Sequence, residues 1–204
     1  MDIKIQDLRR KDFYKAVRFA ITGMHFEWYF EGKLLRKLYG WYFWYMEMAR
    51  ATQVLAAYRG DKLAGVLLAE IKGETKKHGS LLGRLYVGVF DFLQRTFYKE
   101  SAGVYEEANR EMFAKYAAGN SPDGEILFLA ADPEKKAKGV GSRLLCELER
   151  RERGKKIYLY TDSACTYPFY ERRGFERSCE KEILLDIGGK RVPLTCFLFS
   201  KTLE

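Results

Sequence analysis

The chain has 204 residues, 47% hydrophobic and 31% charged, with only 4 prolines, a balance that excludes a disordered or low-complexity protein. Its net charge of +8 favours anionic partners (nucleic acid, an acidic membrane surface or a polyphosphate cofactor) without choosing among them. The cysteines at 146, 165, 179 and 196 lack metal-site spacing and read as reduced thiols; with no signal peptide and no membrane span of ~20 apolar residues, a cytoplasmic protein without a metal site is expected.

In chain order, Ile3 and Ile5 alternate with polar neighbours as in a first strand over Asp2–Leu8, and Asp12 stands where a helix cap belongs. Val17, Ala20, Ile21 and Met24, then Leu34, Leu38, Trp41, Tyr45 and Met48, recur at helical spacing and predict two helices joined around Glu31–Gly32. Val54–Tyr58 and Leu63–Glu70 are β-favouring runs on either side of the turn residues Gly60 and Asp61. Leu82, Leu85, Val89, Leu93 and Phe97 repeat at three- and four-residue intervals, and a second helical pattern covers Val104–Tyr116. Together they predict a helical insertion at about 74–120, between strands three and four. Glu125–Ala131 reads as a central strand buried on both faces, and Val140–Arg153 as a helix with Leu144, Leu145 and Leu148 inward. A strand at Ile157–Thr161, a short helix at Pro168–Arg173 and two strands around Gly188-Gly189 complete the chain. No repeat or linker divides it, so one domain over residues 1–204 is expected.

The segment that bears chemistry is strand, polar loop, helix. A helix start offers unpaired N–H groups and a partial positive charge, and Gly139 and Gly141 let a phosphate approach the backbone. The loop is not a Walker loop, which ends in Gly-Lys-Ser/Thr, nor the three-glycine dinucleotide fingerprint.

Leu129–Gly141 resembles the signature of the GNAT acyltransferases, Arg/Gln-x-x-Gly-x-Gly/Ala, with Lys136 at the Arg/Gln position. Thr161–Phe175 is similar to that family's later segment: Tyr170, Gly174 and Phe175 fit in register, while Ser163 stands at the usual asparagine and Thr166 at the usual alanine. The resemblance implies an α/β fold with a mixed, mainly antiparallel sheet flanked by helices. It implies acetyl-CoA as cosubstrate, held by Leu129, Ala130 and Ala131, by Lys136, Ala137, Lys138, Gly139, Val140, Gly141 and Ser142, and by Ser163 and Phe169. It further implies direct N-acetyl transfer to a small-molecule or peptide amine, with Tyr170 as general acid and Glu125 as general base acting through water.

Each role has a plainer alternative: a packing tyrosine for Tyr170, a solvent-facing strand-end carboxylate for Glu125. Glu27, Trp28 and Tyr29 lie where the family borders its acceptor pocket, and they can hold a cationic amine through ring faces and a carboxylate. Cys165 reads as an inert thiol. For the inserted helix a lid or homodimer contact is the first expectation, ahead of a membrane surface. A non-catalytic acyl-CoA sensor and a basic nucleic-acid-binding module are the rival readings; the second has no aromatic-and-basic motif to support it.

Overall fold

The structure is a computed structural model describing residues 2–30, 32–76, 79–97, 102–134, 138–187 and 190–204. Seven strands form one sheet in the order β1-β2-β3-β4-β5-β7-β6. They are β1 (Ile3–Gln6), β2 (Gln53–Arg59), β3 (Lys62–Ile71), β4 (Gly124–Ala131), β5 (Lys156–Asp162), β6 (Glu176–Ile187) and β7 (Lys190–Thr202). Every neighbouring pair is antiparallel except β4 and β5. The helices are α1 (Phe13–Gly23), α2 (Lys33–Arg50), α3 (Leu81–Phe97), α4 (Ala102–Ala117), α5 (Val140–Arg151) and the single-turn α6 (Pro168–Glu171). The mixed sheet and the helical insertion between β3 and β4 are as the sequence predicts. The turn at Gly188-Gly189 and the junction residue Glu31 lie outside the described residues.

Side-chain alternation assigns the two sheet faces. Leu55, Leu67, Ile126, Leu159 and Phe199 bury against Val140, Leu144, Leu145 and Leu148 of α5. The opposite face divides into two cores. Over β2–β4, Val17 and Phe19 of α1 and Trp44 of α2 cover Val66, Leu68 and Phe128. Over β5–β7, Ala108, Met112 and Tyr116 of α4 cover Leu185, Leu194 and Leu198. Gly65 brings α5 close: a Cβ there would lie 2.4 Å from Val140 Cγ1 and 2.9 Å from the Ala130 carbonyl oxygen.

Asp12 does not cap α1. Its carboxylate accepts the Tyr58 hydroxyl at 2.8 Å and Arg9 Nε at 2.9 Å, and no side-chain cap bond forms. Tyr58 is buried, so its hydroxyl demands a partner, and Asp12 is the group within reach.

Helix α3 is amphipathic, yet its aliphatic stripe faces outward. Tyr86 and Phe90 make the contact with α2, through rings at Tyr39, Tyr42 and Tyr45 and through hydrogen bonds of the Tyr86 hydroxyl to the Leu38 carbonyl and of Tyr42 to Asp91. Leu82, Leu85 and Val89 are exposed. The side chains of Leu93 and Phe97 lie outside the description.

Candidate acyl-transfer site

The site begins with one extra residue in β4. Leu68 pairs with Phe128 and Ala69 with Ile126, so Leu127 is a bulge. The bulge reverses the alternation: Ile126 faces the α5 core, while both Leu127 and Phe128 pack into the α1/α2 core. At the same place β4 leaves β5, since the parallel pairing covers only Gly124–Ile126 against Ile157–Leu159. Past that point β4 stays with β3 and β5 stays with β7, and the two strands diverge. Leu129, Ala130 and Ala131 therefore present backbone groups without a strand partner on the β5 side, an edge suited to an extended amide-bearing ligand.

Beside this wedge α5 starts at Gly139, whose φ of 85° is a left-handed conformation that glycine adopts without strain. Among the described residues no side chain caps the first turn. An added Cβ at Gly139 would meet nothing within 4 Å, whereas at Gly141 it would lie 3.1 Å from Phe169 Cζ. Gly139 is thus the open position, and the room left by Gly141 admits the Phe169 ring. Two arginines that no motif marked stand here: Arg173 donates to Ser142 Oγ with its guanidinium over Phe169, and Arg59 reaches the Lys138 carbonyl at 3.5 Å. Unpaired N–H groups, the helix dipole and these cations together suit a diphosphate. Lys135, Lys136 and Ala137 lie outside the described residues.

Helix α6 carries Tyr170 to the α5 side of the wedge. Its ring packs against Phe169, Phe175 and Phe199, and among the described residues no protein group hydrogen-bonds its hydroxyl. Burial, with a smaller contribution from Cys165, raises the phenol well above its ordinary value, so it stays protonated and able to donate. Burial and the neighbouring Asp162 push the Cys165 thiol up to about 12. Asp162 Oδ1 accepts the N–H groups of Ala164 and Cys165, and its Oδ2 accepts the hydroxyl of Tyr105. Tyr105 belongs to α4, so the insertion reaches the end of β5. Ser163 extends the β5–β7 ladder instead of facing β4: its N–H donates to the Thr195 carbonyl, and its hydroxyl accepts the Thr195 N–H.

Glu125 is not a solvent-facing carboxylate. Its side chain is 13% exposed and accepts Arg50 Nη2 at 2.6 Å and the Tyr158 hydroxyl at 3.0 Å. Arg50 also meets Glu70 at 3.2 Å and Glu47 at 3.5 Å. Glu47 is buried, and desolvation raises its carboxyl to about 7 against the opposing pull of Arg50.

The remaining predicted residues lie on the loop after α1. His25 has a φ of 51°; its ring stacks on Trp28 at 4.5 Å, and its Nδ1 lies 3.1 Å from Glu27 Oε1. Trp28 and Tyr29 pack against the α4/β7 core beside Tyr160 and Ala164. Burial and the charge of Asp162 push Tyr29 up to about 12.

The model of the acetyltransferase (GNAT) family matches residues 19–175, which contain the bulged strand, the loop and Tyr170. The chain belongs to this family. No curated protein sequence matches it. Among solved structures it is similar to the ribosomal-protein-S18-alanine N-acetyltransferase from Escherichia coli, at 14% identity and a TM-score of 0.54 over 100% of this chain and 95% of that one. It is also similar to the PaiA N-acetyltransferase from Thermoplasma acidophilum in complex with coenzyme A, at 16% identity and a TM-score of 0.54 over 99% of both chains. A histone acetyltransferase HPA2-related protein from Corynebacterium glutamicum aligns over 100% of this chain and 98% of its own, with 16% identity and a TM-score of 0.58. At these identities the likeness is one of fold.

GNAT membership makes the chain an acyltransferase on a fold that binds acetyl-CoA. Within this acetyltransferase, Leu129–Ala131, Gly139–Ser142, Phe169 and Tyr170 lie around the wedge, Trp28 and Tyr29 pack instead against the α4/β7 core, and Ser163 turns away.

Proposed function

We propose that this acetyltransferase moves an acetyl group from acetyl-CoA directly to a primary amine in a ternary complex. The observation that carries the reading is the coincidence of the Leu127 bulge, the parting of β4 from β5 and the uncapped start of α5 at one place. Backbone N–H groups at Gly139, Val140, Gly141 and Ser142 hold the diphosphate, with Lys136, Ala137 and Lys138 completing the loop and Arg173 and Arg59 adding positive charge. Leu129, Ala130 and Ala131 line the pantetheine arm, and a backbone N–H of this stretch polarises the thioester carbonyl. Phe169 packs beside the arm.

Tyr170 protonates the departing thiolate, and its raised pKa suits a donor at neutral pH. Glu125 takes the amine's proton through water, its carboxylate positioned by Arg50 and Tyr158. The acceptor enters past Trp28 and Tyr29, where Asp162 supplies a negative charge among aromatic rings that suits a protonated amine. Glu27, engaged with His25, sits at the outer edge of that entrance. The protonated Cys165 thiol is a poor nucleophile and favours direct transfer over an acetyl-cysteine route.

The test is thiol release from acetyl-CoA across a panel of amines, with calorimetry for acetyl-CoA and for duplex DNA. Binding of acetyl-CoA with amine-dependent thiol release is expected. Binding without release for any amine would leave a sensor, and tight DNA binding without acetyl-CoA binding would leave the nucleic-acid module.

A further inference from the structure

The outer surface of α2 and α3 combines two features that acyl transfer does not use. Leu81, Leu82, Leu85, Val89 and Phe92 of α3 are each at least 53% exposed, and Leu34 of α2 is 71% exposed. The bond from Tyr86 to the Leu38 carbonyl makes the α2 and α3 surfaces continuous. Between α1 and α2, next to Leu34 along the chain, lies a groove of about 320 Å³ lined by Tyr14, Arg18, Lys33, Arg36 and Lys37, in which Arg18 pairs with Glu134. From Lys33 to Met46, α2 carries these three cations and no acid. Arg84 is exposed on the rim of α3, whose one acidic residue, Asp91, accepts the Tyr42 hydroxyl.

We propose that this face seats the protein on an anionic phospholipid surface, with the apolar stripe in the acyl boundary and Lys33 and Lys37 on lipid phosphates. An amphipathic helix with leucine, valine and phenylalanine on one side and basic residues beside it is built for such a plane. Charge distinguishes lipid from a second copy of the chain: two-fold pairing would set Lys33, Lys37 and Arg84 against themselves, and α2 from Lys33 to Met46 carries no acid to offset them. Among the described residues no helix is long and apolar enough to cross a membrane, so this contact is peripheral.

Flotation of the full chain with vesicles of phosphatidylcholine alone, and of equal parts phosphatidylcholine and phosphatidylglycerol, tests the proposal. Binding to the anionic vesicles alone is expected, weakened by high salt. Lys33→Glu with Lys37→Glu is expected to lower that affinity by roughly thirtyfold. Leu82→Ser with Leu85→Ser is expected to abolish it; both pairs are exposed, and unchanged calorimetric binding of acetyl-CoA would show that the variants remain folded. Failure to float on anionic vesicles would overturn the proposal, as would flotation undiminished by the leucine substitutions. So would a dimer, seen by light scattering, that the leucine substitutions convert to monomer, since the covering surface would then be a second copy.

Discussion

Arg50 Nη2 lies 2.6 Å from Glu125 Oε2, and the same guanidinium meets Glu70 and Glu47, so one cation at the end of α2 holds three carboxylates from three elements. Arg50→Leu would leave those carboxylates facing one another. The expected loss is about 2 kcal/mol, below the 3–5 kcal/mol of fully buried pairs because the Arg50 side chain is 39% exposed. Urea unfolding measures it, and kcat/KM should fall as Glu125 loses its orientation. Arg50→Lys should recover only part of both, since an ammonium lacks the fork.

Glu47 makes stability depend on pH. Its carboxyl is raised from 4.5 to about 7 in the folded chain, so between those values the folded state binds the extra proton. This contribution is complete below pH 4.5 and is lost as pH rises through 7, amounting to roughly 3 kcal/mol. Glu47→Gln removes the titration, so the variant should gain on the native chain in thermal melts as pH increases across that window. A difference independent of pH would remove Glu47 from the account.

Tyr170→Phe keeps the ring contacts with Phe169, Phe175 and Phe199 and removes only the hydroxyl. Turnover should drop by about 10²-fold or more, with acetyl-CoA affinity nearly unchanged. Equal losses in steady-state kinetics and calorimetry would assign the residue to packing.

Cys165, its thiol pushed up to about 12, should be dispensable. Cys165→Ala is expected to change kcat by less than about twofold. Mass spectrometry of the native enzyme quenched during turnover should show no acetylated protein, and an acetyl adduct at Cys165 would replace direct transfer with a two-step route.

Gly65→Ala forces a methyl against Val140 and the Ala130 carbonyl, where backbone cannot yield cheaply. The overpacking should cost about 2 kcal/mol in chemical denaturation. It should also weaken acetyl-CoA binding, because the start of α5 would shift off β3.

What was legible in the residues was local. The apolar run Glu125–Ala131, the loop glycines and the inward leucines of α5 announce strand, turn and helix by period and punctuation alone. The Arg50 cluster was not legible, because its carboxylates lie up to 75 residues away and no period links them. Nor was the contact between Tyr105 and Asp162, which only the docking of α4 creates. The spacing of Leu82, Leu85 and Val89 identifies a helix but not the side that packs. The rings of Tyr86 and Phe90, which bury more area per residue, took the interior and left the leucines outside. Ser163 stands at the family's asparagine position, and its hydroxyl is drawn to Thr195 by the ladder it continues.

The residue surplus at Leu127 also bars an easy repair of the sheet. Absorbing Leu127 into a regular ladder opposite Leu68 would straighten β4, but every side chain from Phe128 to Ala131 would then exchange compartments, sending a phenylalanine toward α5 and Leu129 under α1 and α2. The cleft is therefore protected by a topological lock: flattening the bulge with Leu127 still in the strand would turn the end of the central strand inside out.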